Sequence, residues 1–533
     1  MSARFLPWLL ALALITIGFS QLDQYNVTWD EALGDFFFGQ RYLSFFTTFD
    51  ARYLDFASDP YPEGTTPDLR RSYFRMRPWE YWPVANTLAA ATSRVVAAAG
   101  LADPFDGFHA LNLILGALLV VAMYRFVERA SSPLAAAAAV SLLVLMPRLV
   151  ADLMANIKDF PEMVFFSLAL LQFFRAYEGA SAGGIVASGA IWGLALGTKA
   201  NALFLPFIVI VHVIARGTEP WEGKERRLGL ALFGAAVTGV LLMFAAWPWL
   251  WADPIARLRD NFTYLAYRSG HRPASAALIG PWTALAFTTP PLTLLLFAIA
   301  LPLFLRRAIR REPAAVLLIA WTAVVAARVS LVAINFDGVR HFLEIFPPLA
   351  MMSGIACAEL ASGVTSRRAA RAALVAVPVV ASAVATLRVH PFESTYWNAF
   401  TGGLAGAQRR HLPQSSDYWA ASYRLGLRWI NENAPRGALL VVPIAGHAVD
   451  LVAPLRLRSD IRYVHYPRGG GPAAAAVRMQ QMQKLARRHP VYVMFVPRRD
   501  WATELDTDCM RRLRPVREWS SGGAPVLLIY RYE

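Results

Sequence analysis

The feature that most constrains the fold is a series of apolar runs of near-membrane length, separated by short basic connections. A spanning helix needs about 20 mostly apolar residues. The runs are Phe5–Phe19, Phe108–Phe126, Pro133–Leu149, Phe160–Phe174, Gly184–Leu196, Ala200–Ile214, Leu228–Trp247, Leu292–Leu305, Ala314–Val332, Phe342–Leu360 and Ala372–Leu387. By the length rule they amount to about eleven helices. The weakest is Gly184–Ile214, which has room for two short helices with Lys199 at the break. A polytopic α-helical membrane protein follows, because lipid offers no partner to an unpaired backbone amide. Composition agrees: 56% of residues are hydrophobic and 17% charged, against roughly 25% charged in soluble domains.

The basic residues set the expected topology. Arg125 and Arg129 follow the second run, Arg175 the fourth, and Arg216, Lys224, Arg226 and Arg227 the sixth. Arg306, Arg307, Arg310 and Arg311 follow the eighth, and Arg367, Arg368 and Arg371 the tenth. With the N-terminus in the cytoplasm, each cluster falls on the cytoplasmic side, as the positive-inside rule requires. The same placement accounts for the formal net charge of +15 without a nucleic-acid partner: topology and lipid phosphate explain it. Met1–Phe19 with Arg4 also reads as a cleaved signal peptide, but it lacks a clear small-x-small site before Gln21, and the topology works with the helix retained.

An odd number of crossings places everything after Arg388 outside. The outer face then carries the loop 21–106, a short loop around Ala151–Asp159, the loop 249–290, the turn Asn335–His341 and the tail. Functional groups concentrate in loops on a rigid scaffold, so the site is expected on this face. In the first loop, Asp30 to Phe46 reads as an amphipathic helix, and Pro83–Ala99 as a helix lying in the interface. The tail changes character. Asp417–Asn433 and Ala473–Arg488 read as helices, and Ala438–Pro443, Val491–Val496 and Val526–Tyr532 as strands. Alternation of this kind suggests a small α/β domain, dividing the chain into a membrane module over 1–390 and an extracytoplasmic domain over 391–533. Of the two cysteines, Cys357 lies in an apolar run and Cys509 in the polar tail, so a disulfide is not expected.

Several outer-face clusters carry candidate chemistry. Trp29-Asp30-Glu31 sits where the first helix should emerge. A helix N-cap explains it blandly. A general base facing an acceptor hydroxyl is the functional reading, and a cap position holds a carboxylate rigidly, so the two are compatible. Asn156-Ile157-Lys158-Asp159-Phe160-Pro161, with Arg148 nearby, is either a polar turn whose proline starts the next helix or a pair facing a cavity. Adjacent opposite charges at membrane depth favour the second. Lys199 either snorkels to the interface or holds a phosphate as a point charge. In Asp337-Gly338-Val339-Arg340-His341 the turn needs only Asp337 and Gly338, which leaves Arg340 and His341 for phosphate recognition. His390, with Glu393, Tyr396 and Trp397, marks the exit of the last helix, where an aromatic belt accounts for the rings. No Walker-type loop, zinc-spaced Cys/His set or Gly-x-Ser-x-Gly elbow is present in the sequence.

Together these pieces resemble the GT-C membrane glycosyltransferases, in the bacterial branch similar to protein O-mannosyltransferases and aminoarabinose transferases. The matching pieces are Trp29-Asp30-Glu31, Pro147-Arg148 with Asn156 to Pro161, Gly193 to Lys199, Trp247-Pro248-Trp249-Leu250-Trp251, Asp337 to His341 with Pro347-Pro348, and His390-Pro391-Phe392 with Tyr396-Trp397-Asn398, in the same order over most of 1–417. The resemblance implies an inner-membrane enzyme that transfers a sugar from a polyprenyl-phosphate donor to an acceptor (protein, lipid or glycan) at the outer face. It places the base at Asp30, a second acidic position at Asp159, and donor-phosphate contacts at Lys158, Lys199 and Arg340. The residues themselves add Glu31 as a helper to Asp30 or as the first-turn acid of the following helix, His341 as a further phosphate contact, and Asp337, Arg148 and His390 as neighbouring candidates. No cofactor is implied. Asp30, Glu31 and Asp159 leave a divalent ion open with an incomplete ligand set. The tail does not resemble the β-trefoil of some protein mannosyltransferases, so acceptor identity does not carry over. The competing reading is a transporter or lipid flippase, which calls for broken or charged helices at the bilayer midplane and usually an inverted repeat. The sequence shows no repeat. A non-catalytic assembly protein displaying the tail is the third reading.

Overall fold

The computed structural model describes residues 5–56, 78–269, 274–331 and 338–533. The helices of the membrane module are α1 (Leu6–Phe19), α2 (Phe36–Thr48), α3 (Pro83–Ala98), α4 (Pro104–Ala130), α5 (Pro133–Val144), α6 (Pro147–Ala155), α7 (Asp159–Glu178), α8 (Ala182–Leu196) and α9 (Leu205–Arg216). They continue as α10 (Glu225–Ala246), α11 (Pro254–Ser269), α12 (Ala274–Thr288), α13 (Pro291–Ile309), α14 (Pro313–Leu331), α15 (Phe346–Val364) and α16 (Arg368–Val389). Each of the eleven expected runs contains a helix. Among the described residues, seven helices are long and apolar enough to cross a membrane, and an eighth if α5 and α6 count as one span. The difference from eleven has local causes. Helices α8 and α9 have 15 and 12 residues. Helix α7 is long enough, but Asp159, Glu162, Arg175 and Glu178 lower its apolarity.

The expected run Pro133–Leu149 is not one straight helix. It ends at Val144, and α6 restarts at Pro147 with a bend of 67°. A proline removes a backbone donor and disfavours helix in the residue before it; Met146, before Pro147, is extended at ψ 116. The bend turns α6 so that Arg148, Asp152 and Asn156 face inward, all buried. The 249–290 connection, read as a loop, contains α11 and α12.

Burial separates inner from outer helices. The best spanning windows of α4 and of the helix through Val339–Val364 are 72% and 83% buried, whereas those of α10, α13 and α16 are 22%, 17% and 22% buried. The outer helices present Leu230, Phe233, Leu241, Val377, Val380 and Leu387 outward, as lipid contact requires. Helix α8 packs against α10 backbone to backbone. A Cβ on Gly189 would lie 2.2 Å from the Ala235 carbonyl oxygen, and one on Gly239 would lie 2.3 Å from the Trp192 ring. In lipid the hydrophobic effect adds little between helices, so close approach of small residues supplies the association. Gly189→Val is therefore expected to lower the detergent-solubilised yield and the unfolding temperature sharply, while Gly183→Val, where a Cβ meets nothing within 4 Å, is expected to leave both near the parent values.

The tail forms a five-stranded sheet in the order β2-β1-β3-β5-β4, with β1 Leu439–Val441, β2 Arg462–Val464, β3 Val491–Phe495, β4 Arg517–Ser521 and β5 Ala524–Tyr532. Strands β2, β1 and β3 are parallel, and β5 runs antiparallel to both β3 and β4. Its helices are α17 (Gly403–Arg409), α18 (Tyr423–Asn433), α19 (Gly446–Arg456), α20 (Gly471–Ala486) and α21 (Glu504–Arg512). Sequence reading anticipated β1, β3, β5, α18 and α20. It began α18 too early, because the Asp417 carboxylate accepts from the Ser394 hydroxyl at 3.1 Å and from the Ser422 amide at 2.8 Å, holding 417–422 as a loop. Both cysteines are buried and unpaired.

Candidate functional site

The segment after α1 starts a helix at Thr28. The Thr28 carbonyl accepts from the Ala32 amide at 3.0 Å, and the Thr28 amide donates to Glu31 Oε2 at 2.7 Å. Glu31 thus folds back on its own helix start, and the same oxygen lies 3.0 Å from His109 Nε2 with both side chains buried. The next turn is widened: the Phe36 amide reaches the Glu31 carbonyl five residues back. This π-type turn, frequent at functional sites, leaves Asp30 and Asp35 near the same group of cations. Gly34 is required there, since a Cβ would lie 2.1 Å from the Tyr81 ring.

Arg340 is the centre of the cluster. Its Nη1 stands 3.1 Å from Asp30 Oδ2 and 3.1 Å from Asp159 Oδ2. Its guanidinium lies over the Trp419 ring at 4.7 Å. Asp159 is buried at the start of α7, where its other oxygen meets Lys199 Nζ at 2.6 Å. Asn156 Nδ2 donates to Asp159 Oδ2 at 3.0 Å, while Asn156 Oδ1 accepts from the Lys158 and Asp159 amides. The Asn156 side chain therefore holds the turn that leads into α7 and orients its first carboxylate at once. Lys158 Nζ lies 3.7 Å from Asp35 Oδ1 and 5.4 Å from the centre of the Tyr81 ring. The Asp30 side chain keeps 30% exposure, Lys158 22% and Lys199 15%, against 1% for Asp35 and Asp159. Asp30 and the two lysines are thus the more exposed groups of the cluster, and Arg340 lies directly against Asp30.

Four of the expected residues converge on one another (Asp30, Asp159, Lys199 and Arg340), with Lys158 beside them through Asp35. The others have separate surroundings. Glu31 pairs with His109. Arg148 donates from Nε to the Tyr396 carbonyl at 3.1 Å and lies over Trp397 and Tyr418, each 5.7 Å away, bracing the wall beside Trp419. The His341 carbonyl accepts from Asn201 and Arg328. His390 lies 2.6 Å from Glu393 and 3.3 Å from Gln21; the Glu393 hydrogen bond raises its pKa. Asp337 lies outside the described residues. Among the described residues no three His, Cys, Asp or Glu side chains group as a metal site; between Asp30 and Asp159 stands a guanidinium.

Sequence reading missed Asp35 and the C-terminal wall. Asp35 had a signal, a carboxylate directly before Phe36-Phe37-Phe38. Burial pushes its pKa up to about 7, partly offset by Lys158. In the unfolded chain it would lose its proton near 3.9, so the folded state holds the extra proton between these values. Stability from this group is therefore full below about pH 4 and declines as pH rises towards about 7, by at most about 4 kcal/mol. Asp35→Asn is expected to flatten that stretch of the unfolding-temperature profile between pH 4 and 8. An unchanged slope would contradict the assignment.

The wall comes from the tail. The Asn26 amide donates to the Ala421 carbonyl at 2.8 Å and the Trp29 amide to the Trp419 carbonyl at 3.1 Å. His447 Nε2 lies 3.1 Å from the Trp29 carbonyl. Burial lowers the His447 pKa to about 4, so at neutral pH this contact is a neutral imidazole N–H donating. Arg498 lies over the Trp29 ring at 5.1 Å and Trp501 packs edge-on against it at 4.8 Å. The residues flanking Asp30 are thus held from both sides, by α7 and Arg340 below and by the α/β domain above.

A family model described as dolichyl-phosphate-mannose-protein mannosyltransferase matches residues 103–251. The matched segment holds Arg148, Lys158, Asp159 and Lys199 but neither Asp30 nor Arg340, and over that stretch it bears out the resemblance read from the motifs. No curated protein matches the chain. Two solved structures of ArnT from Cupriavidus metallidurans are similar over 99% of this chain and 98% of theirs at 16% identity. The form bound to undecaprenyl phosphate has a TM-score of 0.46 and the apo form 0.48.

Proposed function

We propose that this chain is an integral membrane glycosyltransferase that moves a sugar from a polyprenyl-phosphate donor to an acceptor at the outer face of the membrane, with inversion and with Asp30 as the base. The N-terminus is cytoplasmic and the α/β domain extracytoplasmic in this reading. The observation that carries it is the single Arg340 nitrogen shared between Asp30 and Asp159, with Lys199 and Lys158 beside it. A donor phosphate competes for these cations. Arginine takes phosphate through its planar fork and lysine as a point charge. Asp159 is buried and engaged by Lys199, Arg340 and Asn156, so it stays and positions them. Asp30 is the more exposed partner, and it gives up Arg340 to the phosphate.

The released Asp30 carboxylate then faces the acceptor. It accepts the hydroxyl proton as the acceptor oxygen bonds to the anomeric carbon. The bond from that carbon to the donor phosphate breaks, and its electron pair leaves on the phosphate. The cations stabilise the charge that develops there. One carboxylate opposite one leaving group makes a single displacement, without a covalent intermediate. The family description, with its dolichyl-phosphate-mannose donor, supports a lipid-phosphate-linked sugar. The test is incubation of purified protein with radiolabelled polyprenyl-phosphate sugars and membrane extract. Label is expected in an acceptor fraction from at least one donor. Translocation of the donor across vesicles without transfer from any of them would sink the reading in favour of a flippase.

A further inference from the structure

We infer that the end of the bundle opposite Asp30 holds an anionic glycerophospholipid, with acyl chain in a cavity beneath α4, α7, α14 and α15 and phosphate at Arg129 and Arg175. The cavity measures about 810 Å³. Its walls are apolar, with Val121, Leu168, Phe304 and Ile355 among the lining, and its mouth carries arginines. Most charges there are already engaged. Arg125 meets Glu128 at 3.0 Å, Glu178 meets Arg216 at 3.1 Å, and Arg307 meets Glu359 at 2.9 Å and Glu312 at 3.8 Å. Arg129 and Arg175 are exposed and, among the described residues, have no ion pair. The charges left over at this mouth are therefore both positive.

An apolar cavity does not hold water, and this one lies among helices that traverse lipid. A hydrocarbon chain suits its walls and a phosphate suits its mouth; basic pockets between membrane helices take anionic headgroups in this way. The occupant is distinct from the proposed sugar donor. Asp159 and Arg175 stand on the same helix 16 residues apart, ~24 Å along its axis, so the outer cation cluster and this mouth serve different phosphates.

The test uses the full-length protein exchanged into vesicles of phosphatidylcholine and phosphatidylglycerol in equal amounts, then extracted gently for native mass spectrometry of retained lipid. The parent is expected to retain phosphatidylglycerol about tenfold over phosphatidylcholine. Arg129→Ala with Arg175→Ala is expected to abolish that preference, and Leu168→Trp to reduce retention of both lipids by narrowing the cavity. Both arginines are exposed, and an unchanged unfolding temperature for the double variant checks that it folds. Millimolar inorganic phosphate is expected to leave retention unchanged. Equal retention of the two lipids by the parent, undiminished preference in the double variant, or displacement by inorganic phosphate or by equimolar decaprenyl phosphate would each overturn the proposal.

Discussion

Asp30→Asn is expected to reduce sugar transfer by about 10²–10⁴-fold, the usual contribution of a positioned general base, while the protein still expresses and melts near the parent temperature. Asparagine keeps the shape and can still accept a hydrogen bond from Arg340, but it cannot take a proton at neutral pH. Asp30 is also the least buried carboxylate of the cluster, at 30% exposure, so its neutralisation leaves no charge stranded in the interior. Arg340 retains Asp159, also 3.1 Å away. The loss should fall on turnover and much less on donor affinity, because the donor phosphate is held by the cations. Turnover is measured with a saturating labelled donor, and affinity by donor titration. Near-normal turnover in the variant would remove Asp30 from the base role even if the chain proved to be a transferase.

Arg456→Leu is expected to cost about 3 kcal/mol by the general behaviour of broken buried ion pairs, and to loosen the α/β domain from the membrane module. The Arg456 side chain is 4% exposed; it meets Asp106 at 2.6 Å and Asp103 at 2.7 Å, and donates to Asn26 Oδ1 at 3.3 Å. Arg424 reaches the same two carboxylates at 3.2 and 3.3 Å, which keeps the single variant folded and makes a joint replacement much more damaging. The functional consequence follows from Asn26, which shares this network and lies four residues before Asp30. Protease should release the tail earlier in the variant, and transfer should fall with it. Tail release and activity both unchanged would show that the domain is held elsewhere.

The docking of the tail is also where sequence reading stopped short. A division at residue 390 follows composition, whereas Asn26–Trp29, from the segment after α1, hydrogen-bonds to Trp419, Ala421, His447 and Ala448 of the tail. Backbone hydrogen bonds between remote segments carry no residue-type signature, so no motif could announce them. Glu31 shows the converse. Its adjacency to Asp30 made it look catalytic, yet one position along a helix is a turn of ~100°, given 3.6 residues per turn, and that rotation aims it at His109 instead.

Local chemistry along the chain was sufficient to determine the membrane class, the helical segments, most strands of the tail and the identity of Asp30, Lys158, Asp159, Lys199 and Arg340 as unusual charges. Hydrophobic length, backbone self-satisfaction in lipid and the cost of charge near hydrocarbon all act over a few residues, so they are written in the order of residues. Only the tertiary structure decided which of those charges meet. A residue from the first segment, one at the start of α7, one between α8 and α9 and one before α15 come together where α7 packs against the 339–345 turn and the 200–204 turn. Ion pairs act over a few ångströms in space, across as many as 310 residues of chain in the case of Asp30 and Arg340, and that separation is closed by packing alone.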